Sequence, residues 1–418
     1  MRWLYPGIGV KRWAGLAGIG ALSATVGLLA WVGRDLVSTI YNYLSPNQQS
    51  SYWVAGILIL GGLTLLIVGI SRTVHVIVRG IAPETEGRAS EVLYSRRRLS
   101  RGPRIAAVGG GTGLSSLLRG IKVWTSNITA VVTVMDDGGS SGRLRKEMNM
   151  LPPGDIRNCL IALAEDESQI ASLFQHRFRD GSGSLDGHSL GNLILAGLQQ
   201  HTGRFDAAVE ELSQILKVRG QVVPTTLQDV KLVGEMEDGQ TVTGEVSIAK
   251  DPRRIQQMQL SEPRVQPYRK VIRALESADL IVMGPGSLFT SIIPNLLVEG
   301  VPQAIERSQA VKIYISNLMT QPGETDDFSL SDHLCSLGHY LNLNALDVVV
   351  ANDEPFPETL RQRYEQEGAI PVLIDNIAEL TPARLMTADL CDVIELDGKQ
   401  TIKHHAQRLS EIILNCMP

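Results

Sequence analysis

Several signatures that would assign a chemistry directly are missing from this sequence of 418 residues. The four cysteines lie far apart with no CxxC spacing, which predicts neither a disulfide framework nor a zinc ribbon and suits a reducing compartment. No GxSxG, HExxH or SxxK motif occurs, which argues against a serine hydrolase, a zinc protease or a penicillin-binding protein. His333 and His339 do not share a helix face at metal-ligand spacing, and we expect His404 and His405 on the exposed face of a late amphipathic helix. The sequence therefore predicts no metal site.

Internal repeats and low-complexity tracts are also absent, and aromatic residues make up only 5% of the chain. A content of 44% hydrophobic and 20% charged residues, with 40 glycines, is typical of a globular chain with a surplus of glycine. This composition excludes a disordered or collagen-like protein, and the length allows two or three structural units.

The net charge of −5 conceals two parts of opposite sign. Up to Arg104 there are 12 basic and 4 acidic residues, whereas the remainder has 27 basic and 40 acidic residues. An acidic body argues against a nucleic-acid-binding protein, which normally has a basic face. The basic N-terminal part requires a separate explanation.

Two uncharged runs, 13–33 and 53–70, supply that explanation. Each is close to the ~20 residues that cross a bilayer as a helix, and aromatic residues lie near the ends. A signal peptide would account for the first run only, and a buried core helix for the second only. We therefore expect a two-helix transmembrane hairpin over residues 1–80, followed by a basic juxtamembrane linker over residues 81–103.

Basic residues flank the outer ends of both runs, so the positive-inside rule places both chain termini in the cytoplasm. Only the loop at 34–52 would then face the outside. The three arginines at 96–98 either form a solvated linker or contact anionic lipid. The predicted location is the plasma (inner) membrane, multi-pass, with a soluble domain in the cytoplasm. A plain cytoplasmic location stays the alternative.

From Arg104 onward, short apolar runs alternate with amphipathic segments, which indicates a Rossmann-like α/β fold with a mostly parallel sheet and helices on both faces. The expected strands are 104–108, 128–134, 280–283, 311–316, 347–351 and 371–374. The expected helices are 114–121, 155–164, 190–200, 206–216 and 329–341. Asp238-Gly239 between two alternating runs predicts a small antiparallel appendage at about 221–250, within a nucleotide-binding domain that spans 104–418.

The first expected strand runs into GGGTGL, which contains the candidate binding residues Gly110, Gly111, Thr112, Gly113 and Leu114. Glycine permits positive φ and lets backbone N–H groups approach an anion, and the helix that follows favours negative charge at its N-terminus. The segment is not a Walker A loop, and Leu114 stands where a Rossmann fingerprint requires glycine. We interpret it as a phosphate cradle, with a tight turn that binds nothing as the alternative.

Two carboxylates, Asp136 and Asp137, follow the second strand, where a doubly wound fold places a ribose-binding carboxylate or a metal ligand. Ser140, Ser141 and Arg143 come next, with hydroxyl and guanidinium groups that suit phosphate oxygens. Asp-Gly is also an ordinary turn dipeptide, and Arg143 could equally form a local salt bridge with the two carboxylates.

Three further polar clusters stand at expected element boundaries. PPGDIRN offers Asp155 as a helix N-cap, followed by Arg157 and Asn158. The candidate binding residues in DGHSLGN and GPGSLFTSIIPN are His188, Ser189, Asn192, Gly284, Pro285, Gly286, Ser287 and Thr290. Each cluster alone could be a cap or a turn. Ligands of open α/β sheets bind beyond the carboxyl ends of the strands, where two glycine-rich loops can hold the two ends of one nucleotide.

Together these segments resemble the YvcK-type proteins, also called gluconeogenesis factors, a branch of the CofD-like superfamily that also contains 2-phospho-L-lactate transferases. The segments are GGGTGLSSLLRG, TVMDDGGSSGRLR, PPGDIRN, GHSLGNLILAGL, GEMEDG, GPGSLFTSIIPNLL and ISNLMTQPGETDDFSLSDH. The last of them contains a further candidate, Asn317. The resemblance spans roughly Arg104 to the C-terminus, and the N-terminal hairpin departs from the shorter, soluble members.

The resemblance implies a regulatory protein that binds a nucleotide sugar of the UDP-N-acetylglucosamine type, requires no cofactor, and links central carbon metabolism to cell-wall precursor supply and cell shape. It also implies a homodimer and a regulated protein partner. A transferase that moves a phospholactyl-type group from a nucleotide diphosphate donor stays open. So does a dehydrogenase with an NAD-like dinucleotide, which Leu114 disfavours. The segment DDGGSSG looks like the YvcK branch and favours binding over transfer.

Overall fold

The computed structural model describes residues 10–32, 48–81 and 97–417, except 180, 182, 184, 397 and 398. The chain divides into two units, Met1–Arg97 and Arg98–Pro418. Most of the predicted outer loop at 34–52 and of the basic linker at 81–103 lies outside the described residues.

The first unit contains two antiparallel helices, α1 (Val10–Val32) and α2 (Gln48–Ile81). Small residues form their contact: a Cβ atom on Gly20 would lie 2.6 Å from the carbonyl oxygen of Gly62, and one on Gly69 would lie 2.5 Å from the nitrogen of Ala17. Gly62 and Gly69 are seven residues apart, the spacing that keeps one helix face towards a partner. The two backbones approach this closely because side chains are missing at the contact.

The outward faces of these two helices carry large apolar side chains. Ile57 and Leu60 on α2 are each 69% exposed, and Leu22 on α1 is 68% exposed. Among the described helices, one has a single straight stretch that is long and apolar enough to cross a membrane, Ala55–Val76, with a mean hydropathy of 2.1. The apolar stretch of α1, Trp13–Leu29, is shorter. Of the two predicted spans, only the second therefore corresponds to a described helix of sufficient length.

The second unit contains all the strands that occur among the described residues. These are β1 (Ile105–Gly109), β2 (Ile128–Val132), β3 (Gln221–Pro224), β4 (Leu232–Met236), β5 (Thr241–Thr243), β6 (Ile255–Leu260), β7 (Leu280–Met283), β8 (Val311–Ile315), β9 (Val348–Asn352), β10 (Arg384–Ala388), β11 (Cys391–Leu396) and β12 (Lys399–His404). Seven of them form a parallel sheet in the order β10-β9-β8-β7-β1-β2-β3. The predicted mostly parallel α/β fold is confirmed.

Two strand predictions are wrong. The segment Gln221–Pro224, expected in the antiparallel appendage, pairs with β2 in the main sheet because Val222 and Val223 are buried there. The strand expected at 371–374 does not form, since Pro371 makes only a single bridge with Met319 and Leu373 is 65% exposed. The edge of the sheet is β10 instead.

Helices cover both faces of the sheet. They are α3 (Gly111–Ile121), α4 (Gly139–Met148), α5 (Gly154–Leu163), α6 (Glu167–Gln175), α7 (Leu190–Thr202), α8 (Phe205–Ile215), α9 (Glu245–Ala249), α10 (Arg269–Ser277), α11 (Ile293–Leu296), α12 (Val301–Arg307), α13 (Leu330–Gly338), α14 (Glu358–Gln366) and α15 (Ala406–Asn415), with a π-helix at Leu288–Ile292. The five expected helices all form. Because strand side chains alternate, Ile105 and Ala107 pack with α3 and α5, whereas Ala106 and Val108 pack with α10 and the π-helix.

Two small antiparallel sheets complete the second unit. One has the order β5-β4-β6, and its chain turns at Asp238-Gly239 between β4 and β5, as predicted. The other is the ribbon of β11 and β12. The placement of His404 and His405 on the exposed face of a late helix is wrong. His404 ends β12 and His405 precedes α15, and neither side chain is exposed.

The order of the strands in the main sheet indicates where along its edge a ligand would bind. From β1 the chain winds through β2 to β3 in one direction, and from β7 to β10 in the other, so the order reverses between β1 and β7. Open parallel sheets bind ligands beyond the carboxyl ends of the strands at such a switch point. The two glycine-rich loops follow β1 and β7 and therefore lie together there.

Candidate functional site

A cavity of about 720 Å³ opens at this switch point. Loops after β1, β2 and β7 line it, together with parts of α5, α14 and β12. Twelve of the predicted binding residues are among its lining: Gly110, Gly111, Thr112, Gly113, Asp136, Asp155, Asn158, Pro285, Gly286, Ser287, Thr290 and Asn317.

The loop after β1 leaves the first turn of α3 without a side-chain cap. Gly111 has a φ of +63°, a conformation that other residues rarely adopt. Its N–H donates a hydrogen bond to the carboxylate of Asp155, and the helix presents its positive end here. Leu114, another predicted binding residue, is fully buried in the core and is not part of the lining. A backbone of this kind suits an anionic ligand.

The loop after β7 packs directly against the loop after β1. A Cβ atom on Gly113 would lie 2.5 Å from the carbonyl oxygen of Pro285, a distance that real Cβ atoms do not show. Glycine at position 113 is therefore required for the two loops to touch. We call residues 110–113 and 285–287 the glycine wall of the cavity.

Four carboxyl groups, on Asp136, Asp155, Glu245 and Glu324, line the cavity beside the glycine wall. Burial raises the pKa of Asp155 to about 6, and the nearby Asp136 adds to this shift. Burial raises the pKa of Glu324 to about 7, although the Thr290 hydroxyl donates to its carboxyl at 3.2 Å. Burial and the adjacent Asp136 also raise the pKa of Glu245. This part of the cavity therefore holds carboxyl protons near neutral pH.

The two aspartates after β2 make different contacts. Asp136 lines the cavity, and its Oδ1 accepts a hydrogen bond of 2.8 Å from the N–H of Gly138. Asp137 does not line the cavity, and its Oδ1 accepts a hydrogen bond of 3.1 Å from the N–H of Val246. Asp137 thus joins the loop to α9, the helix that brings Glu245 into the cavity.

Behind the cavity lies a buried hydrogen-bond network of five predicted binding residues: Ser140, Arg157, His188, Ser189 and Asn192. The Arg157 guanidinium donates to Asn192 Oδ1 at 2.8 Å, to the Ser189 hydroxyl, and to Asn158 Oδ1 at 2.8 Å. The Ser140 hydroxyl contacts His188 Nδ1 at 2.9 Å. Asn158 lines the cavity, so the network holds this side chain from behind.

The remaining predicted residues lie away from the lining. Ser141 is buried in α4, and Gly284 follows the last residue of β7. Arg143 makes no ion pair with the two aspartates; it donates to the carbonyl oxygen of Asp186. Asp155 lines the cavity but is not the N-cap of α5, because that position is Pro153.

The cavity has a second wall that the sequence reading missed. Tyr364, Glu367 and residues 401–404 of β12 line it, and we call these residues the C-terminal wall. The N–H of Ile402 donates to the Tyr364 hydroxyl at 3.1 Å and joins β12 to α14. Among the described residues that line the cavity, Lys403 carries the only ammonium or guanidinium group. Burial lowers the pKa of Lys403, and the positive charge of Arg119 adds to this.

His404 is an uncharged member of the C-terminal wall. Burial lowers its pKa to about 4, and its Nε2 hydrogen-bonds to the carbonyl oxygen of Ser316 at 3.1 Å. The sequence offers one signal for this wall, because Asp397-Gly398 stands between two runs of β-forming residues in the way that Asp238-Gly239 does. The other lining residues that sequence reasoning missed are Ser116, Glu245, Ser291, Leu318, Met319, Thr320, Gln321, Pro322, Glu324 and Ala369.

No group of three or more His, Cys, Asp or Glu side chains that could hold a metal ion occurs in the part of the chain that the structure describes. The four carboxyl groups beside the glycine wall do not form such a group.

Known proteins are similar to this chain in sequence and in fold. The family model described as 2-phospho-L-lactate transferase CofD matches residues 105–394. A gluconeogenesis factor from Halalkalibacterium halodurans is 47% identical over 75% of this chain and 96% of its own length. A relative from Nostoc sp. (strain PCC 7120) is 43% identical over 99% of this chain and 91% of its own length. A crystal structure of a protein from Bacillus halodurans, 46% identical, covers 75% of this chain and 100% of that chain with a TM-score of 0.71.

The matches differ at the N-terminus. The Nostoc relative aligns with nearly the whole chain, whereas the Halalkalibacterium relative aligns over three quarters of it with almost all of its own length. The N-terminal quarter is thus shared with some relatives and not with others. The resemblance found in the sequence motifs is confirmed: the chain belongs to the CofD family, in its branch of gluconeogenesis factors.

Proposed function

We propose that this protein binds a nucleotide sugar of the UDP-N-acetylglucosamine type in the cavity and acts as a regulatory protein that links central carbon metabolism to cell-wall precursor supply and cell shape. One observation carries the proposal: the glycine-rich loops after β1 and β7 touch each other at the switch point of a parallel sheet. Two uncapped loops in contact can hold both phosphates of a diphosphate, which is the central part of such a ligand.

The cavity suits the other parts of this ligand as well. Its volume of about 720 Å³ lies in the usual range of small-molecule sites, about 300–1,000 Å³. Lys403 faces the same space and would pair with a phosphate oxygen. The carboxyl groups of Asp136, Asp155 and Glu324 would accept hydrogen bonds from the neutral hydroxyl groups of the ribose and the sugar.

A second candidate is a transferase, because the matching family model is described as 2-phospho-L-lactate transferase. Such an enzyme would move a phospholactyl-type group from a nucleotide diphosphate donor. The carboxyl groups near the glycine wall would then hold a divalent cation beside the donor phosphates, since Mg²⁺ binds through one or two carboxylates plus substrate phosphates.

The same proposal includes a membrane anchor. In the first unit, small residues form the contact between α1 and α2 while large apolar side chains face outward. A soluble protein would bury its large apolar side chains, whereas here they face outward. This arrangement suits the hydrocarbon interior of a bilayer. With both termini in the cytoplasm, a cytoplasm-specific reporter should be active when fused after Pro418 and inactive when fused near Pro46.

Calorimetry with the full chain in detergent separates regulator from enzyme. We expect UDP-N-acetylglucosamine to bind with one site per chain, with little change on chelation, and to be recovered chemically intact after long incubation. Asp136→Asn should weaken binding by about 1–3 kcal/mol, the usual cost of a hydrogen bond to a charged group. Metal-dependent consumption of a nucleotide donor well above background would favour the transferase, and no binding of any nucleotide would contradict both functions.

A further inference from the structure

Two large apolar side chains are exposed together in the turn that follows α3. Val123 is 49% exposed and Trp124 is 45% exposed. This turn connects α3 to β2, so it lies at the amino edge of the main sheet, opposite the carboxyl edge where the cavity opens. Neither residue lines the cavity, and the proposed nucleotide site gives no reason for their exposure.

The first residues of the second unit pack against this turn. The N–H of Ser126 donates to the carbonyl oxygen of Leu99 at 3.0 Å, and the side chain of Asn127 donates to that of Gly102 at 2.7 Å. The Thr125 hydroxyl donates to the carbonyl oxygen of Pro103 at 2.9 Å. Residues 98–104, which we call the leading segment, are therefore fixed beside Val123 and Trp124 as one surface.

The part of the sequence that contains this surface carries only positive charges. From residue 92 to residue 135 there are seven basic residues and no Asp or Glu. Distant acidic residues pair with some of the seven: Asp279 with Arg104, and Glu167 with both Arg119 and Lys122. Arg98 and Arg101 of the leading segment are exposed, and neither has an ion-pair partner among the described residues.

We propose that the surface formed by the leading segment and Val123–Trp124 docks on an anionic lipid bilayer. Tryptophan favours the membrane interface because its ring is apolar and its N–H is polar, and unpaired arginines are attracted to acidic headgroups. An exposed tryptophan beside unpaired arginines matches both parts of such an interface. Docking at the amino edge leaves the cavity at the opposite edge open to soluble ligands.

The surface is small, so docking depends on proximity to lipid. Fifteen residues, 82–96, join the end of α2 to Arg97. If α2 lies in a membrane, as the proposed function includes, this short connection supplies a high effective concentration of lipid, and a weak contact is then sufficient. The docking inference rests on that anchor for its setting, but it can be tested without α1 and α2.

Residues 98–418 suffice for the test, because they form one of the two compact units of the chain, and the Bacillus halodurans protein of known structure matches three quarters of this chain over its own whole length. Trp124 is the only tryptophan in residues 98–418, so its fluorescence reports on this surface alone. Vesicles of phosphatidylcholine with about one third phosphatidylglycerol are compared with vesicles of phosphatidylcholine, each with and without brominated acyl chains.

We expect a blue shift of the Trp124 emission and at least a twofold loss of intensity with brominated anionic vesicles, both reversed in high salt. Arg98→Glu combined with Arg101→Glu should abolish both effects. The matched control, Arg254→Glu combined with Arg264→Glu, makes the same charge change around β6 and should leave both effects intact.

Three results would overturn the inference. The first is no quenching by anionic vesicles, and the second is equal quenching by vesicles without anionic lipid or by the Arg98/Arg101 variant. The third is a blue-shifted emission without lipid that depends on protein concentration, because it would mean that a second copy of the chain covers the surface. None of these results bears on nucleotide binding, which calorimetry measures separately.

Discussion

The glycine wall and the C-terminal wall face one cavity but differ in how they are built. The glycine wall consists of backbone from two short segments, each directly after a strand of the parallel sheet. The C-terminal wall consists of side chains from α14 and β12, and it contributes the cation Lys403. The first wall suits phosphate oxygens through N–H groups, and the second through a charge. A site that contacts its ligand with both walls would select that ligand by N–H groups and by charge together, and therefore more strictly than either wall alone.

The largest expected effect falls on the glycine wall, at Gly113. Gly113→Ala would place a Cβ atom 2.5 Å from the Pro285 carbonyl oxygen, which is backbone and has little freedom to move. We expect a loss of about 3 kcal/mol or more in the free energy of unfolding, at the upper end of the usual cost of overpacking. Denaturant titration measures it, and a loss below about 1 kcal/mol would mean that the two loops separate easily.

The next effect concerns Glu324, whose carboxyl group lies beside the glycine wall. Its pKa is about 7 in the folded protein and about 4.5 in an unfolded chain, so the stability that its protonated form supplies is complete below pH 4.5 and is lost as the pH rises through 7. Glu324→Gln, which keeps an acceptor for Thr290, should therefore leave stability unchanged near pH 4 and raise it by up to about 3 kcal/mol at pH 8.

Thermal unfolding between pH 4 and pH 8 measures the difference between Glu324→Gln and the unmodified protein. Glu262→Gln, at an exposed position that does not line the cavity, controls for the loss of one negative charge. A difference that is the same at pH 4 and pH 8 would contradict the raised pKa of Glu324.

The C-terminal wall is tested at Lys403. Lys403→Ala should weaken binding of UDP-N-acetylglucosamine about 10- to 100-fold, since a hydrogen bond to a charged group contributes about 1.5–3 kcal/mol. Stability should change little, because burial already disfavours the charged form of this lysine. Lys399→Ala, at an exposed position on the same strand outside the cavity, is the matched control. Equal affinities of the two variants would remove the C-terminal wall from the site.

The smallest loss of stability is expected at Gly111, another glycine of the same wall. A Cβ atom there meets no atom closer than 3.8 Å, so the cost of Gly111→Ala comes only from the φ of +63°. This cost is about 1 kcal/mol. If Gly111→Ala destabilises the protein as much as Gly113→Ala, contact between the loops is not what makes glycine necessary in this wall.

The two walls also differ in how far the sequence predicts them. The glycine wall was predictable because a glycine-rich loop after a parallel strand is a local pattern, and strand order brings two such loops together. The sequence could not separate Gly113 from Gly111, because the contact with Pro285 is tertiary. The local pattern also predicted that Asn192 and His188 bind the ligand. In the structure Asn192 accepts a hydrogen bond from Arg157, and His188 contacts Ser140, both behind the cavity.

The C-terminal wall was not predictable in the same way. Lys403 lies 290 residues and Tyr364 lies 251 residues after Gly113 of the first loop, and no motif connects them to it. Their place follows from the edge of the sheet, where β10 rather than the expected strand at 371–374 carries the chain towards the β11–β12 ribbon. Glu245 likewise reaches the cavity from a segment that no binding motif connects with it, whereas Glu324 lies in the segment ISNLMTQPGETDDFSLSDH, of which only Asn317 was predicted to bind.

Hydrogen exchange with and without UDP-N-acetylglucosamine reports on both walls in one experiment. We expect slower exchange in peptides that contain residues 110–113, residues 285–287 and residues 401–404 at the same ligand concentration. Peptides from the β4–β5 turn, which lies outside the cavity, should not change. Protection of the glycine wall alone, or of neither wall at saturating ligand, would contradict a single ligand held between the two walls.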